Sequence, residues 1–196
     1  SVKFYNNETM LNHYFDKIYV LYLPRRENKT LLELKKLGIW NYSLYEGFDG
    51  SINLSCQEEY KQYTQFKPSY EEQKVVGQNR RGIGSIGSWA ILKSMHNMLI
   101  DAKIKGYKRI LVLQDDTLFH KDFIQEFKQK IRNIDDEQWK LLYLGASQHG
   151  WGSVDTVHSY YHPNGTTDGA FAVGINNIVF DDLLSEITKF NMPFDS

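Results

Sequence analysis

Short apolar runs alternate with amphipathic segments along most of the chain. The runs are rich in aliphatic, aromatic and β-branched residues and predict strands, at 17–23, 42–46, 109–113, 140–144 and 170–175. The segments between them carry apolar residues at helical spacing and predict helices, at 30–37, 88–103, 122–131 and 178–190. The order strand, helix, strand near the start is typical of a βαβ unit. We therefore predict a single α/β domain over 1–196, with a Rossmann-like, mainly parallel central sheet flanked by helices.

Three stretches show no clear periodicity. Residues 1–16 resemble a lead-in segment, and residues 51–82 are polar and contain Pro68, which predicts a long irregular connection. Residues 145–168 are rich in Gly, His, Ser and Thr and predict a second long loop. Variable loops of this kind are where we expect the choice of binding partner to reside.

Two adjacent aspartates, Asp115 and Asp116, follow the most hydrophobic predicted strand. In open α/β sheets, ligands bind at the carboxyl ends of the strands. Neighbouring carboxylates need a cation or another positive partner, and hard oxygen ligands suit Mg²⁺ or Mn²⁺ together with phosphate oxygens and water. The pair therefore predicts a divalent-metal site, and the competing interpretation is that Asp116 or Thr117 caps a turn or the next helix.

Other polar residues follow the first two predicted strands at the same expected edge. Arg25 and Arg26 can bind diphosphate oxygens, or they are solvated loop charges. Asp49 can accept a hydrogen bond from a ribose hydroxyl or a base edge, or it is a turn residue in Asp-Gly.

Two further segments carry weaker candidates. The stretch Gly82–Gly87 matches no phosphate-binding fingerprint, but it can let backbone approach a ligand at a helix N-terminus, with Ser85 or Ser88 as the helix cap. Asp168, before the last predicted strand, can bind sugar hydroxyls or act as a base, or it forms a turn. The histidines at 149, 158 and 162 do not have the spacing of a compact zinc site.

Charge and composition exclude several classes of protein. The formal net charge of −1 argues against a nucleic-acid partner, which usually selects a basic surface. No apolar run approaches the length of a membrane span, and the start of the chain lacks the features of a signal peptide, so we expect a cytoplasmic protein. The single cysteine, Cys56, excludes an internal disulfide.

Taken in order, several short segments resemble glycosyltransferase family 25, which includes lipooligosaccharide and collagen galactosyltransferases. The resemblance spans about Lys17 to Asp195 and is carried by Ile18–Arg26, Leu37–Ile39, Phe48–Gly50, Gly82–Ser88, Leu111–Asp116, Gly169–Ala172 and Met192–Asp195. Two positions depart from the family: Gln114 stands where an acidic triplet usually begins with Glu, and Trp89 follows Ser88 where a His is usual. Members usually continue beyond the point that matches Asp195, so a longer protein is also open.

The resemblance implies a GT-A fold, a nucleotide-sugar donor of the UDP-hexose kind, a glycan or protein acceptor, and inversion at the anomeric carbon. For such a reaction we expect Asp115 and Asp116 to hold Mn²⁺ or Mg²⁺, and Asp195 and Asp168 are the candidates for the catalytic base. The expected donor contacts are Leu23, Arg25, Arg26, Asp49, Gly84, Ser88, Thr166 and Gly169.

Two other functions stay open from the sequence. A nucleotidyltransferase also uses acidic metal ligands on an α/β sheet, but Pro24–Arg26 lacks the glycines of a triphosphate-binding loop. A non-catalytic, transferase-like domain that binds a glycan is the other alternative, and Gln114 is the residue that favours it.

Overall fold

The computed structural model describes residues 10–66, 85–119, 121–132, 134, 139–148, 151–155, 160–163 and 167–189. The helices are α1 (Met10–Tyr14), α2 (Lys29–Lys36), α3 (Leu54–Phe66), α4 (Ile86–Ile104), α5 (Phe123–Ile131) and α6 (Phe180–Lys189), with a 3₁₀ turn at Asn177–Val179. The strands are β1 (Lys17–Tyr22), β2 (Tyr42–Glu46), β3 (Arg109–Gln114), β4 (Leu141–Gln148), β5 (Trp151–Asp155), β6 (Tyr160–Pro163) and β7 (Thr167–Asn176). The predicted α/β class is confirmed.

The five-stranded sheet is mixed and has the strand order β2-β1-β3-β7-β4. Strands β2, β1 and β3 pair in parallel, whereas β7 is antiparallel to both of its neighbours, β3 and β4. Four strands therefore point the same way and one is reversed, an arrangement compatible with a Rossmann-like fold. The predicted unit β1-α2-β2 is present as a parallel pair joined by a helix.

Helices cover both faces of the sheet because the central strands are apolar on both sides. In β1, Ile18 and Val20 join one core with α1, α2 and α5, while Tyr19 and Leu21 join the other with α3, α4 and α6. Strand β3 alternates in the same way. A strand that is buried on both faces needs a near-continuous hydrophobic run, which is what the sequence shows there.

The ends of the helices follow local chemistry. The side chain of Asn28 accepts a hydrogen bond from the backbone N–H of Leu31 at 3.0 Å and so caps the start of α2. After α2 and α4 the chain turns at Gly38 and Gly106, both with positive φ, which confirms the predicted stops. Ser85 caps α4 by accepting from the N–H of Ser88 at 3.1 Å.

The prediction of an irregular connection over 51–82 is wrong for its first part. Helix α3 occupies Leu54–Phe66, where Cys56, Tyr60 and Tyr63 face the core at helical spacing and the two tyrosines contact Trp89. Gln and Glu residues between them hide this spacing in the sequence. Residues 67–84 lie outside the described part of the chain.

The prediction of a loop over 145–168 is also wrong in part. Strand β4 continues to Gln148, β5 and β6 form a separate antiparallel pair, and β7 already begins at Thr167. Pairing between β4 and β7 gives this stretch its extended backbone, with two register irregularities along the way. The lead-in segment likewise contains a helix, α1, whose residues Met10, Leu11 and Tyr14 are buried. In the described part of the chain, no helix is both long and apolar enough to cross a membrane.

Candidate functional site

A cleft of about 310 Å³ opens at the carboxyl ends of β1, β2 and β3. The loop after each of these strands contributes one wall, and the first turns of α4 contribute another. The lining residues are Leu21, Tyr22, Leu23, Arg25, Arg26, Gly47, Phe48, Asp49, Gly50, Ser51, Ile86, Gly87, Ala90, Ile91, Ser94, Gln114 and Asp115. The cleft lies where open α/β sheets bind their ligands.

Asp49, in the turn after β2, is held by three neighbouring groups. Its Oδ1 accepts hydrogen bonds from the backbone N–H of Ser51 at 3.0 Å and from the Ser51 hydroxyl at 2.6 Å. The Arg25 guanidinium donates to both carboxylate oxygens. These bonds, above all those from Arg25, hold the pKa of Asp49 well below its ordinary value of 3.8. Asp49 is therefore a fixed anion that positions Arg25 at the cleft, where the guanidinium side chain stays 57% exposed.

The acidic pair occupies a tight turn after β3. The N–H of Thr117 donates to the carbonyl of Gln114 at 3.2 Å, so Asp115 and Asp116 are the two central residues of the turn. The first turn of α2 holds this turn in place. The backbone N–H groups of Lys29 and Thr30 donate to the carbonyl of Asp115 at 2.8 and 3.2 Å.

The two carboxylates of this turn lie in different environments. The Asp115 side chain is only 4% exposed and its Oδ2 accepts from the backbone N–H of Leu23 at 3.3 Å, whereas the Asp116 side chain is 44% exposed. A terminal nitrogen of Arg26, Nη2, lies 3.4 Å from Oδ1 of Asp115 and 3.6 Å from Oδ2 of Asp116. Arg26 therefore supplies the positive partner that two adjacent carboxylates require.

The N-terminal part of α4 closes the cleft against the Asp49 turn. A Cβ atom on Gly50 would lie 2.8 Å from Cγ1 and 2.9 Å from the carbonyl oxygen of Ile86, so only glycine permits this approach. The Ser94 hydroxyl accepts from the backbone N–H of Phe48 at 2.9 Å and donates to the carbonyl of Ala90 at 2.7 Å. The two walls are therefore joined by the Ser94 hydroxyl and by the close approach of Gly50 to Ile86.

The donor set at the acidic turn fits a hard divalent cation. One oxygen of Asp115 and one of Asp116 face a common point, which a guanidinium nitrogen marks with distances below 4 Å to both. Carboxylate oxygens are the ligands that Mg²⁺ and Mn²⁺ prefer. Among the described residues, no group of three or more His, Cys, Asp or Glu side chains is placed to hold a metal ion. Oxygens from a bound phosphate or from water would have to complete the shell.

The structure brings together six of the residues singled out from the sequence. Leu23, Arg25, Arg26, Asp49 and Asp115 line the cleft, and Asp116 shares Arg26 with Asp115.

Other predicted residues lie elsewhere or outside the described chain. Ser88 is in the first turn of α4, where Ser85 contacts its hydroxyl, and it does not line the cleft. The backbone of Asp168 and Gly169 lies in β7, with Asp168 paired to Ser147 of β4. Gly84, Thr166 and Asp195 lie outside the described residues.

Thr30, Ser51 and Ser94 are site residues that the sequence did not single out. Thr30 is buried beneath the acidic turn, and Ser51 and Ser94 hold the Asp49 turn. Ser51 is recognisable in principle as the residue two positions after an aspartate in a turn. The contacts of Thr30 and Ser94 join residues that are far apart in the sequence and leave no local mark.

The chain matches no protein-family model, and a search of curated proteins finds no similar sequence. The likeness to glycosyltransferase family 25 therefore rests on the ordered motifs alone.

Proposed function

We propose that the chain is a glycosyltransferase that moves a hexose from a nucleoside diphosphate donor, of the UDP-hexose kind, to a hydroxyl group of a glycan or protein. The observation that carries the proposal is the cleft at the carboxyl ends of β1, β2 and β3, where two consecutive arginines each pair with an aspartate from a different strand end. The ordered motifs described above support the same function.

The charge arrangement suits a diphosphate better than a neutral ligand. Arg25 and Arg26 are half-exposed, so each has donors left over after pairing with its aspartate. Guanidinium groups bind phosphate oxygens through paired hydrogen bonds. Asp49 and the acidic pair fix where the arginines stand, and a ligand that brings both negative charge and a bound cation would satisfy all five charged side chains.

The proposed roles follow from this geometry. Asp115 and Asp116 would hold Mg²⁺ or Mn²⁺, which supplies charge neutralisation of the departing diphosphate. Arg26 and Arg25 would bind the diphosphate and the nucleoside end of the donor, and Asp49 would keep Arg25 in place or accept from a ribose hydroxyl.

The reaction in this proposal is a single displacement. The acceptor oxygen forms a bond to the anomeric carbon as the bond from that carbon to the diphosphate breaks, and the hydroxyl proton passes to a carboxylate. Asp168 and Asp195 are the candidates for that base. Attack opposite the leaving group gives inversion.

A second candidate function is binding without catalysis. It is favoured by Arg26, which already pairs with both aspartates, and by Gln114, which stands where the family usually has Glu. A nucleotidyltransferase is less well supported, because the connection between β1 and α2 contains no glycine.

Calorimetric titration separates these functions. UDP and a set of UDP-hexoses are titrated into the protein with Mn²⁺ and then with a chelator, and UDP release is measured with saccharide acceptors. The transferase proposal predicts cation-dependent binding followed by UDP release. Binding without release from any donor would support the non-catalytic domain, and absence of nucleotide binding under both conditions would refute the transferase.

A further inference from the structure

The contacts beneath the acidic turn single out Thr30, in the first turn of α2. Its side chain is completely buried. The hydroxyl oxygen accepts from the backbone N–H of Thr117 at 2.8 Å, and the hydroxyl lies within donating distance of the carbonyl oxygens of Gln114 and Thr117. One hydroxyl therefore contacts both ends of the turn that carries Asp115 and Asp116.

We propose that Thr30 is a positioning residue for the Asp115–Asp116 pair, and that its hydroxyl fixes the turn in the conformation that binds a divalent cation. The inference rests on the proposed function, because it concerns the same cation site. Thr30 touches neither carboxylate, so its effect passes through the backbone.

Three features support a positioning role over ordinary packing. The hydroxyl hydrogen-bonds to the backbone of residues 114 and 117, which flank the acidic pair on both sides. The same helical turn also holds the carbonyl of Asp115 through the backbone N–H groups of Lys29 and Thr30. The side chain of Asn28 caps this turn of α2 and so stabilises the helical turn that holds the acidic turn.

The physical reason is that a two-carboxylate site has little geometric tolerance. With no third acidic side chain placed beside them in the described part of the chain, the two aspartates must present their oxygens to one point. Groups that orient metal ligands without touching the metal contribute about 10-fold to 100-fold to metal affinity. Loss of the Thr30 hydroxyl removes hydrogen bonds at both ends of the turn, so the turn is held less firmly in the conformation that presents the two carboxylates.

The test compares two substitutions that each remove one buried hydroxyl with little change in volume. Thr30→Val removes the contacts beneath the turn. Tyr19→Phe is the matched control, because the Tyr19 hydroxyl donates to Asp101 at 2.6 Å, near the opposite end of α4 from the cleft. Thr30→Ser keeps the hydroxyl and serves as the rescue variant.

Mn²⁺ alone is the probe, and its affinity is measured by the loss of the free-ion electron paramagnetic resonance signal, with thermal unfolding recorded for every variant. We expect Thr30→Val to bind Mn²⁺ about tenfold more weakly than the wild type. Tyr19→Phe and Thr30→Ser should bind as the wild type does, even where their unfolding temperatures fall. Equal Mn²⁺ affinity in folded Thr30→Val and wild type would overturn the positioning role.

The experiment distinguishes failure of the proposed cation site from failure of the positioning role of Thr30. A wild type that binds no Mn²⁺, alone or with UDP, refutes the cation site and the positioning role with it. If Thr30→Val does not fold, hydrogen exchange of the wild type decides instead. The Thr117 amide should then be protected before Mn²⁺ is added, and exchange at the rate of an open loop would overturn the inference.

Discussion

Replacement of Arg26 by glutamine tests the cation site through the direction of the change in Mn²⁺ affinity. In the structure, Nη2 of Arg26 lies between the two carboxylates that would hold the cation, at 3.4 and 3.6 Å. A cation that binds there must compete with this guanidinium. We therefore expect Arg26→Gln to bind Mn²⁺ more tightly than the wild type in the absence of nucleotide, and to bind UDP more weakly.

The size of the effect follows from the exposure of the pair. Coulomb's law at 3.4 Å with an effective dielectric constant of about 20 would give about 5 kcal/mol for one contact. Arg26 and Asp116 are nearly half-exposed, and ion pairs at such positions contribute at most about 1 kcal/mol once screening and side-chain entropy are included. Loss of about 1 kcal/mol of competition corresponds to about fivefold tighter Mn²⁺ binding.

The neighbouring Arg25→Gln is the matched control. Arg25 forms its ion pair with Asp49, and Asp115 is the smallest of the influences on its pKa, so its loss should change the affinity for Mn²⁺ alone much less than the loss of Arg26 does. Both affinities are measured by titration with Mn²⁺ at fixed ionic strength. Unchanged or weaker Mn²⁺ binding by Arg26→Gln would refute the idea that the arginine and the cation share one position.

Two further predictions concern the walls of the cleft. Gly50→Ala should lower the free energy of unfolding by about 1–3 kcal/mol, because its Cβ would overlap the first turn of α4 at 2.8 Å. In Gly87→Ala the new Cβ would meet only a side-chain oxygen at 3.8 Å, so this variant should raise the free energy of unfolding by about 0.5–1 kcal/mol. The measurement is urea unfolding, and a change of the same sign in both variants would contradict the close contact between Gly50 and Ile86. The lowered pKa of Asp49 means that its bond with Arg25 stabilises the fold above the ordinary pKa and is lost as pH falls through the folded value. The excess of the wild-type melting temperature over that of Asp49→Asn should thus be constant near neutrality and shrink below about pH 4, and a difference that grew in acid would contradict it.

The elements that the sequence predicted correctly are those with strong local causes. Strands β1 and β3 are apolar on both faces, as a strand covered by helices on both sides must be, and the sequence shows such runs directly. Helix α2 has a capping residue, Asn28, at its start and Gly38 just past its end. Neither feature depends on distant residues.

The elements that were missed depend on tertiary contacts. Helix α3 is held by a few core contacts, such as the packing of Tyr63 on Trp89, while most of its surface is polar. The extension of β4 and the early start of β7 arise from pairing with each other. Strand pairing over such distances leaves no periodic pattern in either segment.

The location of the site was predicted from the sequence, but the pairing of its side chains was not. The edge of the sheet and the acidic pair follow from one rule about strand ends, which placed Arg25, Arg26, Asp49 and Asp115 in one region. Which arginine pairs with which aspartate follows only from the folded backbone. The buried hydroxyl of Thr30 is a contact of the same kind, because its partners lie on β3 and the turn after it.

The most direct test of the central claim is calorimetric titration of UDP into the wild type and into Asp115→Asn, each with Mn²⁺ and with a chelator. We expect UDP binding by the wild type to depend on Mn²⁺, and we expect that dependence to be lost in the variant, whose thermal unfolding should show that it remains folded. Equal UDP binding with and without Mn²⁺ in the wild type, or an unchanged Mn²⁺ dependence in Asp115→Asn, would contradict a cation site at the acidic turn.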